Sequence, residues 1–239
     1  MREKRKLLVI GAHSADFVWR AAGAIAVATT NGGSAHVVAL SYGEHGESGE
    51  LWKTPGQTVE RVKQIRHDEA TRAAEAVGAS FECLDLGDYP LRVNDEALNK
   101  LVAIIVAAVP DVILTHTNKD PFNPDHPVAY ATTELARQLA SGAGVASAFK
   151  TVRPPEFLLF EPHQPDLCNF TPTTFVDITA VFEKKVQAMA CMGAQEYLRQ
   201  YYTERAAHRA NHARRISGNN AIKQSEVFMR AIPQVVEGV

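Results

Sequence analysis

Cysteine is scarce in this 239-residue chain, and long apolar runs are missing. The three cysteines, Cys83, Cys168 and Cys191, are far apart, odd in number and form no CxxC pair. That excludes a disulfide framework and cysteine-bound zinc, and it fits reduced thiols in the cytoplasm. No stretch approaches the length needed to cross a bilayer. The apolar run after the basic start MREKRK is too short for a secretory signal and lacks a small-residue cleavage pattern. An excess of either charge is lacking too. Lys+Arg number 25 and Asp+Glu 27, a formal net charge of −2, so neither nucleic acid nor a membrane surface is expected as a partner. GxGxxG, GxxxxGK[ST] and GxSxG are all absent, which removes the dinucleotide site, the phosphate-binding loop and the nucleophile elbow. There are no internal repeats and no low-complexity linker.

What is present is a packed globule, 46% hydrophobic, in which strand-like and helix-like segments alternate. KLLVIGA (6–12), AHVVALSY (35–42), SFECLDL (80–86), DVILTH (111–116), EFLLFEP (156–162) and TTFVDI (173–178) read as strands. Residues 17–31, 58–78, 94–109 and 127–141 read as helices, the first stopped by Asn31–Gly33 and the third by Pro110. The last sixty or so residues read as helical, in three pieces. The expectation is one α/β domain over residues 1–239. It consists of a Rossmann-like, mostly parallel sheet with helices on both faces and a helical C-terminal extension from about residue 180.

Such sheets place ligands beyond the carboxyl ends of their strands. Taken strand by strand, that rim collects His13 and Asp16, then Glu44, His45 and Glu47, then Asp88, then His116, Asp120, Asp125 and His126, then Glu161 and His163. Scattered surface polar residues would not segregate in this way. Two histidines and a carboxylate with an open position describe a catalytic zinc or similar divalent site. A histidine at a strand end is commonly structural and an aspartate at a helix start is commonly an N-cap. Their coincidence on one rim favours a metal at His13, Asp16 and His126. His208 and His212, in HRANHARR, lack an intervening glutamate and read as part of a basic helix face. The arginines there are solvated, join a subunit contact, or clamp a carboxylate.

AHSADF resembles the AHPDDE motif of the PIG-L, or LmbE-like, deacetylases, and NPDHP resembles their HPDH motif. The Gly/Glu loop after the second strand, IRHDEATRAAEAVGA and LDLGDYPL extend the resemblance from about residue 6 to 190. In that family the motif histidine, its second aspartate and the final histidine bind zinc, which implies Zn2+, or another divalent metal, on His13, Asp16 and His126. The first aspartate is the base that activates water, and here it is Ala15. The motif glutamate is Phe17 and the first histidine of the second motif is Asn123. Alanine cannot deprotonate water, so a metal-dependent reaction of another class is expected.

The HSADF variant, CMGAQEYL and RANHARRISG resemble a branch of the family that hydrates a carbon–carbon double bond. Its substrate is a small tricarboxylic oxo or enol acid of aromatic catabolism. That resemblance implies acid–base groups other than residue 15, and Glu47 and His163 are the candidates, with His45 and Glu44 in reserve. Arg20, Arg209, Arg215 and Asp125 are candidates for holding the substrate, the C-terminal arginines across the subunit interface of a homo-oligomer. Two other readings stand beside it. One is a de-N-acetylase whose base has moved to Asp125 or Glu47; the other is a non-catalytic metal-binding protein.

Overall fold

The structure, a computed structural model, describes residues 4–144 and 151–235. In chain order, β1 (Lys6–Gly11) leads into α1 (Asp16–Thr30) and β2 (Ser34–Ala39). A one-turn α2 (Gly49–Trp52), α3 (Val59–Ala76), β3 (Ser80–Cys83), α4 (Asp95–Ala108) and β4 (Val112–Thr115) follow. The second half holds α5 (Asp125–Ser141), β5 (Glu156–Phe160), β6 (Thr174–Asp177), α6 (Phe182–Ala190), α7 (Leu198–Ser217) and β7 (Ser225–Arg230). All seven strands form one sheet in the order β3-β2-β1-β4-β5-β7-β6. The first five are parallel, and β7 runs antiparallel between β5 and β6.

Strand alternation divides the core in two. Val9, Val37, Leu114 and Phe228 face α1, α3 and α6, whereas Leu8, Ile10, Val38 and Ile113 face α4 and α5. Two long helices start on side-chain caps: Thr58 accepts from the Arg61 amide and Asn94 from the Ala97 amide. Chain order reverses between β1 and β4, and a crevice opens where the loops beyond their carboxyl ends diverge. No helix among the described residues is long and apolar enough to cross a membrane.

The C-terminal segment differs from the expectation. Residues 180–217 are largely helical, but Ser225–Arg230 is a strand woven into the sheet; residues 236–239 lie outside the described residues. The reason is an inward charge. Glu226 of β7 is buried and accepts the backbone amides of Gly23 and Ala24, at 2.9 and 2.7 Å, inside α1. The buried Lys185 ammonium of α6 donates to Glu226 and to the Trp19 carbonyl. This pair is wedged against α1 just beyond the turn carrying Asp16 and Arg20. Gly23 is required there, because a Cβ would lie 2.7 Å from Ile178.

Replacing Lys185 by Met leaves Glu226 buried without its counter-charge and is expected to cost about 3–5 kcal/mol. The shift of the urea midpoint measures it, and a shift within noise contradicts the role given to the pair.

Candidate metal centre

The loop after β1 turns tightly into α1. Ala15, not Asp16, is the N-cap residue, and Asp16 opens the helix without capping it. Its Oδ2 instead accepts the His13 amide at 2.7 Å, closing the turn. His13 and Asp16 therefore share one side of a rigid loop, Nδ1 to Oδ2 3.5 Å apart. The loop after β4 brings His126, near the start of α5, to the same place, with Nε2 3.7 Å from Asp16 Oδ1. One donor atom from each of the three lies within 4.8 Å of the others, and all three residues are buried.

The hydrogen bonding shows what these atoms lack. His13 Nδ1 and His126 Nε2 are buried with no hydrogen-bond partner among the described residues. The opposite nitrogen of each ring is held by a carboxylate: His13 Nε2 lies 3.1 Å from Asp125, and His126 Nδ1 2.8 Å from Asp120. Carboxylate on one side and an open nitrogen on the other is the arrangement that orients metal-binding histidines. Two orphaned buried nitrogens beside a carboxylate are costly unless a cation satisfies them. The residues present therefore fit a divalent metal.

Electrostatics agree. Burial opposes a charge on His13, but Asp125 and Asp16 outweigh it and push its pKa up to about 10. A point that retains a proton so strongly is prepared for a metal cation. Burial works against ionised Asp16 as well, yet His116 and Arg20 keep its pKa well below the usual range. Burial and the neighbouring His116 hold His126 far below an ordinary histidine, in the neutral form that ligates. His116 stacks on His126 with centroids 4.0 Å apart and brings Nε2 within 3.0 Å of Asp16 Oδ2.

A cavity of about 290 Å³ opens over this cluster, lined by His13, Asp16, Arg20, Glu47, Asn123, His126 and His163 among others. Ala15 lines it too. Glu47 hangs over the cluster with Oε1 4.0 Å from His13 Nδ1. Each of its oxygens takes one side-chain amide, Asn123 Nδ2 at 2.8 Å and Gln195 Nε2 at 2.7 Å. Gln195 cannot flip without loss, because its Oε1 accepts from Trp19 Nε1 and the buried Arg66. Glu47 is thereby an acceptor on both oxygens. Arg20 donates to Asp16 Oδ1 at 2.7 Å, and its Nε has no partner among the described residues.

The remaining expected site residues lie elsewhere. Asp125 sits behind His13, bonded also by the Tyr89 and Leu91 amides, and does not line the cavity. His45 is half exposed and braced on Asp88, outside the cavity; Glu44 is buried beside Lys63. Arg209 is spent on Glu161, and Arg215 lies on the exposed last turn of α7. The supporting residues are Asp120 and His116, which the sequence placed on the rim without a role, and Gln195, to which it gave none. For Asp120 a signal existed, an acid six residues before His126.

Asp125→Asn should weaken metal binding about 10–100-fold, the usual cost of losing such an outer carboxylate. Competition with a chromophoric chelator measures it, and unchanged affinity would show that Asp125 does not orient His13.

Residues 8–138 match the PIG-L family, described as GlcNAc-PI de-N-acetylase. A 4-oxalmesaconate hydratase of Pseudomonas putida KT2440 is 43% identical over 99% of this chain and 93% of its own length. The crystal structure of GalB, the 4-carboxy-2-hydroxymuconate hydratase from P. putida KT2440, superimposes with a TM-score of 0.95 and 43% identity, covering 98% of this chain and 99% of that one. The N,N'-diacetylchitobiose deacetylase of Pyrococcus horikoshii shares the fold at TM-score 0.77 and 19% identity, over 94% of this chain and 83% of its own.

Proposed function

The chain belongs to the PIG-L family, and from that premise we propose that it is a metal-dependent hydratase and not a de-N-acetylase. It adds water to 4-oxalomesaconate, or its enol 4-carboxy-2-hydroxymuconate, to give 4-carboxy-4-hydroxy-2-oxoadipate. Support comes from the 43% identity to a hydratase over 99% of the chain. One observation in the site carries the reading: Ala15 stands in the cavity wall where the deacetylases are expected to carry their base, while Glu47 is held over the metal-ligand cluster by two amides.

His13, Asp16 and His126 would hold the metal, for which zinc suits two imidazoles and a carboxylate. When bound, the ion supplies Lewis acidity toward the oxo-acid end of the substrate. Glu47, with both oxygens acting as acceptors, takes a proton from the attacking water, whose hydroxyl adds to one carbon of the double bond. The neighbouring carbon gains the proton, so the overall addition balances. Arg20 is the one arginine lining the cavity among the described residues, and it pairs with a substrate carboxylate. His163 faces the substrate from the loop after β5. Arg209 and Arg215 do not line the cavity of a single chain; a homo-oligomer built on α7 is the arrangement in which they would approach a substrate.

The test is the ultraviolet absorbance of the conjugated substrate. The metal-loaded protein is expected to bleach it, a chelator to stop the decay, and added zinc to restore it. Release of free amine from an N-acetylglucosaminide, with no bleaching, would instead support the relocated-base deacetylase.

A further inference from the structure

His163 is gripped by α7. Its ring stacks on Tyr201, centroids 4.3 Å apart and planes 13° apart. Its backbone carbonyl accepts the Tyr201 hydroxyl at 2.7 Å and Arg205 at 2.6 Å. These contacts fix the plane of the ring but leave open which nitrogen carries the proton. Nδ1 lies 3.3 Å from the Tyr202 hydroxyl, and Nε2 has no partner among the described residues although the ring lines the cavity.

A neutral imidazole carries one proton, and the hydrogen bond made by one nitrogen decides where it resides. Tyr202 is buried, its ring stacked on Trp19 at 5.5 Å, and His163 is the one hydrogen-bond partner of its hydroxyl among the described residues. A buried hydroxyl spends its donor where an acceptor is offered. Burial, reinforced by Arg20 and Arg205, lowers the pKa of His163 to about 4, so the ring is neutral at neutral pH.

We propose that Tyr202 donates to His163 Nδ1 and so locks the tautomer that carries its proton on Nε2. His163 then presents an N–H to an oxygen of the substrate and serves as a hydrogen-bond donor, not as the base. Tyr202 is a positioning residue, acting through His163. The consequence for turnover rests on the hydratase reading above; the tautomer itself does not.

The test is nitrogen-15 NMR of histidine-labelled, metal-loaded enzyme at neutral pH, with the His163 signals assigned by their loss in His163→Asn. The expected result is the Nε2-protonated pattern in the parent protein and a mixture of tautomers in Tyr202→Phe, which keeps the ring on Trp19. In the same variant kcat should fall about tenfold, the worth of one hydrogen bond, with metal content and KM unchanged. Nδ1-protonated His163 in the parent, or an unshifted tautomer in Tyr202→Phe, overturns the assignment; the parent spectrum alone decides if the variant does not fold. A shifted tautomer with unchanged kcat overturns the role in turnover. The expected tautomer in a protein inert toward the oxo-acid upholds the assignment and contradicts the hydratase reading instead.

Discussion

Glu47→Gln is expected to retain its metal and lose about 10²–10⁴-fold in kcat, the usual contribution of a positioned general base. The substitution is nearly isosteric, but its amide nitrogen must meet either Asn123 Nδ2 or Gln195 Nε2, both of which are donors toward position 47. The variant therefore loses proton affinity together with one of its two anchors. Because the proposed ligand set is His13, Asp16 and His126, a group that does not include Glu47, metal content should remain stoichiometric. Steady-state kinetics paired with metal analysis checks both halves. Normal turnover removes Glu47 from the chemistry, and metal loss makes it a ligand.

Asp16→Ala should abolish metal binding and activity together. Asp16 faces both open nitrogens, closes the turn through the His13 amide and neutralises Arg20. Its loss is expected to weaken the metal by well over the about 10–100-fold that an outer partner costs. It also leaves a largely buried guanidinium without its counter-charge, a defect on the order of 3–5 kcal/mol. Calorimetric metal titration and the urea midpoint separate the two effects. A variant that binds metal as tightly as the parent would show that the ion does not rest on Asp16.

The site was legible where the fold makes it local. Parallel strands deliver their loops to one rim, so the HSAD and NPDH segments could be placed together from alternation alone, and the structure brings His13, Asp16 and His126 within reach of one ion. The supports were less legible because they are pairings between distant residues. Gln195 and Glu47 are 148 positions apart, and an amide meeting a carboxylate leaves no periodic trace. β7 escaped because Glu226 breaks the apolar pattern of SEVFMR; its inward charge makes sense only once Lys185 and the α1 amides surround it. Arg209 has the chemistry to clamp a substrate carboxylate, but the nearest carboxylate is the protein's own Glu161.

The most direct measurement is anomalous diffraction on either side of the zinc absorption edge, from crystals of the zinc-loaded active enzyme. A single peak about 2.0–2.2 Å from His13 Nδ1, His126 Nε2 and an Asp16 oxygen is the predicted result. A peak elsewhere, or none in crystals of protein that still hydrates the oxo-acid, would contradict the account.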